Sequence, residues 1–437
     1  MKILILTYGS RGDVQPYIAL GKGLKAAGHH VVLVTSERFR EFVQENGLTY
    51  GYMNDDLLAI LDSDQGKDLL ENTTHIFQVL KQGLKLAKNV GRMQRDLLCE
   101  SWEIAQHVKP DLVLFHPKAL AGPHIAERLG IPAVLANPVP MFVPTSERPV
   151  IGIPDLKLGG WYNRFSYRVI RALFGQFSGK YVKEFRSDIG LAPRFSLFKT
   201  GHGDDIPVLD AYSEAILPRP SDWPDRVCIT GYWFLERQHD WVPSPKLEAF
   251  LKAGPPPVYI GFGSMAGRNP ERLARTTVKA LESAGLRGIL ARGWGGLKPS
   301  KLPDTILQID QAPHDWLFPQ MAAIVHHGGA GTTAAALRAG KPSIVVPFFG
   351  DQFFWAKNAY KMGVSPKPIP QKKLAVESFS AALHAVTSQT DMIDTAAKTG
   401  AKIRREDGVA NAVSFIEERL LANEPMVSLK KEKIGGA

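Results

Sequence analysis

Short β-branched runs alternate with helix-period stretches twice along this chain, and that pattern constrains the fold more than any other feature. Ile3–Leu6, after Met1 and Lys2, is a continuous apolar run that enters Gly9-Ser10-Arg11-Gly12-Asp13. A helical pattern with Ile18, Leu20 and Leu24 follows, Gly28 stops it, and Val31–Thr35 is the next run. The alternation recurs at 111–115, through a helix to Leu129, and at 132–135. After a Pro- and Trp-rich stretch, Pro218 to Pro257, it restarts with a strand at 258–262, a helix over 270–284 and a strand at 288–291. Strands at 323–326 and 343–347 bracket a helix over 332–339. Strands buried on both faces and joined by helices make parallel sheets, so the fold class is α/β, with two facing Rossmann-like doubly wound lobes and a cleft between them.

The domain organisation expected is 1–217 as the N-terminal lobe, 218–257 as the linker and start of the second, and 258–405 as the C-terminal lobe. A helix over 406–425, carrying Val409, Val413, Ile416 and Leu420, is expected to pack back on the first lobe, and 426–437 to form a tail. No repeat at 20 to 50 residues is visible. The 437 residues, 44% hydrophobic and 22% charged, suit a large core and disfavour disorder. Two cysteines point to a reducing compartment and cannot form a thiolate metal site. No apolar run is long enough to span a bilayer, and the N-terminal run is too short for a signal peptide, so a cytoplasmic protein, soluble or peripheral at a membrane, is expected. The net charge of +10 suits an anionic partner without selecting one. Nucleic acid is disfavoured because no binding module is present.

In open α/β sheets, chemistry collects in the loops beyond the strands' carboxyl ends. Three such loops are glycine-rich: Gly9 to Gly12, Gly261 to Gly267, and His326 to Thr333. In the last two, glycine lets the backbone approach a ligand, and the following helix offers unpaired N–H groups to phosphate, which makes the C-terminal lobe the nucleotide side. Glycines that merely make tight turns are the plainer alternative. A second rival is a dinucleotide site, since Gly329-Ala-Gly331-Thr332-Thr333-Ala334 fits G-x-G-x-x-A with Asp351 downstream, and an NAD(P)-dependent dehydrogenase would follow. A Walker lysine is absent.

Gln311-Ala312-Pro-His-Asp-Trp-Leu-Phe-Pro319, the run from His326 to Pro342, and Val346-Pro-Phe-Phe-Gly-Asp351-Gln352 together resemble the donor signature of nucleotide-sugar glycosyltransferases of the two-Rossmann GT-B fold. Gly9 to Pro16 resembles the sterol 3-β-glucosyltransferase branch, and is similar to bacterial glycosyltransferases that decorate antibiotics. The resemblance implies inverting transfer of a sugar, glucose from UDP-glucose, to a hydroxyl of a hydrophobic, sterol-like acceptor. A TDP-sugar and a polyketide acceptor are the alternative. No cofactor beyond the nucleotide-sugar co-substrate is implied.

Carried onto this sequence, the donor-binding set is Ser10, Arg11, Gly12, Gly263, Ser264, Gln311, Ala312, His327, Gly329, Gly331, Thr332, Thr333, Asp351 and Gln352. His327 would contact phosphate, and Asp351 with Gln352 would hydrogen-bond sugar hydroxyls; an Asp that caps the next helix beside a solvated Gln352 is the bland alternative. The uracil-stacking tryptophan and ribose-binding glutamate of plant members are matched here by Gln311 and Ala335, which leaves the base open. For catalysis, Asp13 is the candidate base, where plant relatives have histidine; read without the resemblance, it is equally a helix N-cap. His116 ends a strand where those relatives place an aspartate, so the two form a coupled pair in which the proton acceptor is open. Asp62-Ser63-Asp64 spells D-x-D but sits in an acidic, polar segment, so no metal is expected. Phe142 and Trp161 are the acceptor-side candidates. Trp161, Phe165, Val169, Leu173, Phe177, Tyr181 and Phe185 recur every four residues among arginines and lysines; this stripe is expected to pack against the lobe, with rest on an anionic membrane as the alternative.

Overall fold

A computed structural model describes residues 1–63, 76–194, 199, 203–237, 241–263, 270–292 and 302–421. Twelve named strands lie in two sheets. The first holds β1 (Lys2–Leu6), β2 (His30–Ser36), β3 (Thr49–Met53), β4 (Leu112–Phe115), β5 (Ala133–Asn137), β6 (Val208–Asp210) and β7 (Val227–Ile229), in the order β3-β2-β1-β4-β5-β6-β7. The second holds β8 (Val258–Gly261), β9 (Gly288–Ala291), β10 (Ile306–Ile309), β11 (Ala323–His326) and β12 (Ser343–Val345), in the order β10-β9-β8-β11-β12. Every pairing between these strands is parallel. β7 therefore completes the first sheet from within the segment read as linker.

The continuous apolar runs follow from burial on both sides. Leu4, Leu6, Val32, Val34, Val113 and Phe115 pack into one core layer, while Ile3, Ile5, Val31, Leu33, Leu112 and Leu114 pack into the layer on the other face. The Gly408–Leu421 helix closes the second layer: Ala412, Val413 and Ile416 pack with Val14, Ile18 and Leu24 of the first helix, Arg11–Ala26. A cluster shared by Tyr212, Ile216 and Tyr232 of one lobe and Leu337, Val345 and Trp355 of the other joins the two lobes.

The aromatic stripe does not pack as expected. It lies on the helix Gly160–Asp188, but Trp161, Phe165, Leu173 and Phe177 are exposed, and only its last members, Tyr181 and Phe185, reach the core. A four-residue spacing overshoots one turn by about 40° at each step, so the stripe winds round the helix instead of lying along one face. The face that is buried carries Asn163, Ser166, Tyr167, Ser178, Val182 and Phe185.

Candidate active site in the interlobe cleft

Each sheet reverses strand order once near its middle, and the expected site loops stand at those two points. β1 pairs with β4, so Asp13, in the first turn after β1, and His116, directly after β4, come from adjacent strands. β8 pairs with β11, so Gly263 and His327 are brought together in the same way. Both pairs face one cleft of about 2330 Å³ between the lobes.

Asp13 divides its two oxygens. Oδ2 accepts from the Ser10 backbone N–H at 2.8 Å and from the Ser10 hydroxyl at 3.0 Å, which ties the helix start. Oδ1 faces His116 Nε2 at 3.4 Å and Lys118 Nζ at 2.8 Å. The helix-start role and the cleft-facing role thus coexist on one side chain. Gly9 makes room for it: φ is +142°, and a Cβ there would stand 2.2 Å from Asp13 Oδ2. Burial raises the Asp13 pKa, but Lys118 and His116 together outweigh it and hold the carboxyl far below the usual range.

His116 is buried, with the Tyr17 ring edge-on at 5.7 Å. Its Nδ1 accepts the Lys118 backbone N–H at 3.1 Å, an arrangement that assigns the ring proton to Nε2, toward Asp13. Burial lowers the imidazole pKa against the pull of Asp13. Lys118 was not singled out from the sequence. The signal available was a lysine two residues beyond His116 in a loop at the carboxyl edge of the sheet.

Across the cleft, Gly329 precedes the helix Ala330–Ala339, whose first turn opens on the cleft through Ala330, Gly331 and Thr332. His327 packs against that turn so closely that a Cβ on Gly329 would lie 2.5 Å from its Nε2. Burial pushes His327 down to about 4, so its ring is neutral at pH 7, and Nδ1 is buried without a partner among the described residues. The Thr333 hydroxyl is buried and likewise unpartnered among them. His314, stacked on Phe318 at 4.1 Å, is also held neutral, by burial and by the positive charge of Arg11 from the other lobe. Arg11 thus reaches its field across the cleft to the region of the phosphate-type loop.

Asp351 directly precedes the Gln352–Lys361 helix, and its Oδ2 accepts the Trp355 indole N–H at 3.1 Å. Burial raises its pKa, and Asp13 raises it further from the opposite lobe. Gln352 is buried, not solvated: its Oε1 accepts the backbone N–H groups of Phe348 at 2.7 Å and Phe349 at 3.3 Å. Ser10, Arg11, Gly12, Gly263, Gln311, Ala312, Gly329, Gly331 and Thr332 line the cleft. Ser264 lies outside the described residues, as does Asp64 of the D-x-D triplet.

On the acceptor side, Phe142 lines the cleft and meets the Phe174 ring edge-on at 6.0 Å. Trp161, the other acceptor-side candidate, is not brought to the cleft. It stands on the outer surface of the Gly160–Asp188 helix, away from the cleft lining, because its turn directs it opposite to the buried face. Among the described residues, no group of three or more His, Cys, Asp or Glu side chains is placed to hold a metal ion.

Comparison with known proteins finds matches along most of this chain. The glycosyltransferase family 28 N-terminal domain matches residues 3–145, and the erythromycin biosynthesis protein CIII-like C-terminal domain matches 296–412. Sterol 3-beta-glucosyltransferases from Aspergillus clavatus and Yarrowia lipolytica are 40% and 38% identical to this chain over 95% and 99% of its length. The chain spans only 29% and 30% of the length of those two relatives. Among solved structures, the glycotransferase of kitacinnamycin superposes with a TM-score of 0.71 at 18% identity, covering 96% of this chain and 99% of that one. The calicheamicin glycosyltransferase CalG4 superposes at 0.66 with 18% identity, covering 97% and 99%. The dehydrogenase alternative fits these matches less well: the chain carries these two family domains, is similar to the sterol 3-β-glucosyltransferases along nearly its whole length, and shares the GT-B fold of the solved glycosyltransferases.

Proposed function

We propose that this chain transfers glucose from UDP-glucose, with inversion, to the hydroxyl of a sterol-like alcohol, and that Asp13 is the general base. The observation that carries the reading is Asp13 Oδ1, held by Lys118 and His116 at the reversal point of one sheet, opposite the open helix turn and His327 at the reversal point of the other. In the reaction the acceptor oxygen bonds to the anomeric carbon as the bond from that carbon to the diphosphate oxygen breaks. The hydroxyl proton passes to Asp13 Oδ1, and the charge left on the diphosphate meets the helix N-terminus, His327 and Arg11. His116 acts as the orienting partner, since its Nε2 already carries the proton directed at Asp13. Asp351 offers Oδ1 and Gln352 its amide N–H groups to the sugar hydroxyls, their other polar atoms being held by Trp355, Phe348 and Phe349. The similarity to sterol 3-beta-glucosyltransferases supports a sterol acceptor.

The test incubates the protein with UDP-glucose or TDP-glucose and a panel of sterol, polyketide and flavonoid alcohols, detecting glycoside by mass and its anomer by NMR. A β-glucoside of a sterol from UDP-glucose is expected, with thermal stabilisation by UDP and none by NAD. Stabilisation by NAD alone, with no glycoside, overturns the reading. Because protein groups meet the diphosphate charge, turnover is expected to persist in excess EDTA.

Lys118 supplies a further prediction. Removing its ammonium in Lys118→Met takes away the charge that most opposes burial and leaves the hydrogen bond from His116, so the Asp13 pKa rises and the acid limb of the kcat/KM profile moves to higher pH. The parent enzyme should hold its plateau to lower pH, and Lys118→Arg should restore it. Superimposable profiles for the parent and Lys118→Met would show that the ion pair does not set the base.

A further inference from the structure

Of the twelve large hydrophobic side chains that stand exposed among the described residues, six fall between positions 156 and 177. Leu156 is 57% exposed, Leu158 49%, Trp161 69%, Phe165 51%, Leu173 42% and Phe177 65%. Isolated exposed hydrophobics are ordinary, whereas half of them gathered on one loop and the helix it enters mark a contact surface. Arg168 and Lys183 are exposed along the same Gly160–Asp188 helix, as are Arg164, which pairs with Asp222 at 2.9 Å, and Lys180, which meets Glu184 at 4.0 Å. Its nearby acids are engaged: Arg95 pairs with Glu184 and Asp188, at 3.7 and 2.8 Å.

The segment also leads inward. Ile151 and Gly152 line the cleft, and the chain then runs out to Leu156 and Leu158. Phe174 and Ser178, on the inner side of the helix, line the cleft beside Phe142. One helix is therefore both a wall of the cleft and, at its N-terminal end, the carrier of a local apolar face that Trp161 and Phe165 make one turn apart, with Leu156 and Leu158 just before them in the chain.

We propose that this face docks on the surface of a lipid bilayer bearing anionic headgroups. Trp161, Phe165 and the two leucines enter the headgroup boundary while the arginines and lysines meet lipid phosphate and carboxylate. The dual placement of the helix then sets the cleft mouth at the bilayer surface, where a membrane-borne alcohol reaches Phe142 and Phe174 along apolar side chains. The docking goes beyond the transferase reading and does not rest on it, because vesicle capture is measured without turnover.

The test is sedimentation with sucrose-loaded vesicles of three parts phosphatidylcholine to one part phosphatidylserine, at low and high salt, alongside vesicles of phosphatidylcholine alone. The parent protein is expected to sediment with the anionic vesicles and to be released by salt. Trp161→Ala with Phe165→Ala should weaken capture by about tenfold or more, with unchanged Tm, since both side chains are exposed. Arg168→Glu with Lys183→Glu should do the same and remove the salt dependence. Failure to sediment at low salt overturns the proposal, as does equal capture of the parent and the Trp161/Phe165 variant. A dimer in sedimentation velocity that the same pair of substitutions dissolves would assign the face to a second copy of this chain and also overturn it.

Discussion

Asp13→Asn is expected to lower kcat by about 10³-fold at saturating donor and acceptor while leaving KM nearly unchanged. The asparagine Oδ1 can still accept from the Ser10 N–H, so the helix start survives. Its Nδ2 then faces the Lys118 ammonium and the His116 Nε2–H, donor against donor, so a fall in Tm accompanies the change. What disappears is the proposed acceptor of the hydroxyl proton. His116→Ala should cost less than Asp13→Asn, because its ring orients the carboxylate without receiving that proton. The double variant should be close to Asp13→Asn alone, since two members of one unit do not add. Near-normal turnover in Asp13→Asn would remove the base assignment and leave the cleft without a proton acceptor on the N-terminal side.

Glu127→Ala is expected to destabilise the N-terminal lobe by about 3–5 kcal/mol, a fall in Tm on the order of 10 °C. Arg186 is wholly buried and binds Glu127 in a two-pronged pair at 2.7 and 2.9 Å. Its Nε donates to the Ala192 carbonyl at 2.7 Å, and Nη1 meets His124 Nδ1 at 3.0 Å. Removing the carboxylate strands a guanidinium that the interior cannot solvate. Glu127→Ala with Arg186→Met should recover much of the loss, because no buried charge then remains. The pH dependence has a definite sign. Arg186 lowers the Glu127 pKa from 4.5, so this stability is present above that value and is lost as pH falls through the folded pKa. The Tm gap between parent and variant should therefore narrow in acid, and a gap that widens there would contradict the assignment.

Much of this architecture was legible in the sequence because strands buried on both faces leave uninterrupted β-branched runs. β1, β2, β4, β5, β8, β9, β11 and β12 are marked in that way. β3 escaped because it pairs with β2 alone, at the edge, and its TYGYM sequence alternates buried and exposed residues around a glycine. β6 and β7 are three residues each and lie in a Pro-, Asp- and Arg-rich stretch, without the continuing apolar run that Val346 gives to the equally short β12. Asp13, His116, His327 and Asp351 were legible because they follow strands, where the chemistry of such sheets collects. Lys118 was not, since its partner lies 105 residues away and only the pairing of β1 with β4 brings the two together. Trp161 misled because a four-residue period resembles a helical face over two turns and departs from it over seven.

The polypeptide passes between the lobes twice, once between β7 and β8 and once between Ile403 and the Gly408–Leu421 helix that returns to the first lobe. Two covalent crossings define a line, as paired pins do on a door. Relative motion is then a swing about that line, and sliding of one sheet past the other would strain both connections at once. The shared cluster around Tyr232 and Trp355 includes Ile403, so the pivot runs through packed side chains, and the gap between Asp13 and the phosphate-type loop is the dimension that such a swing would change.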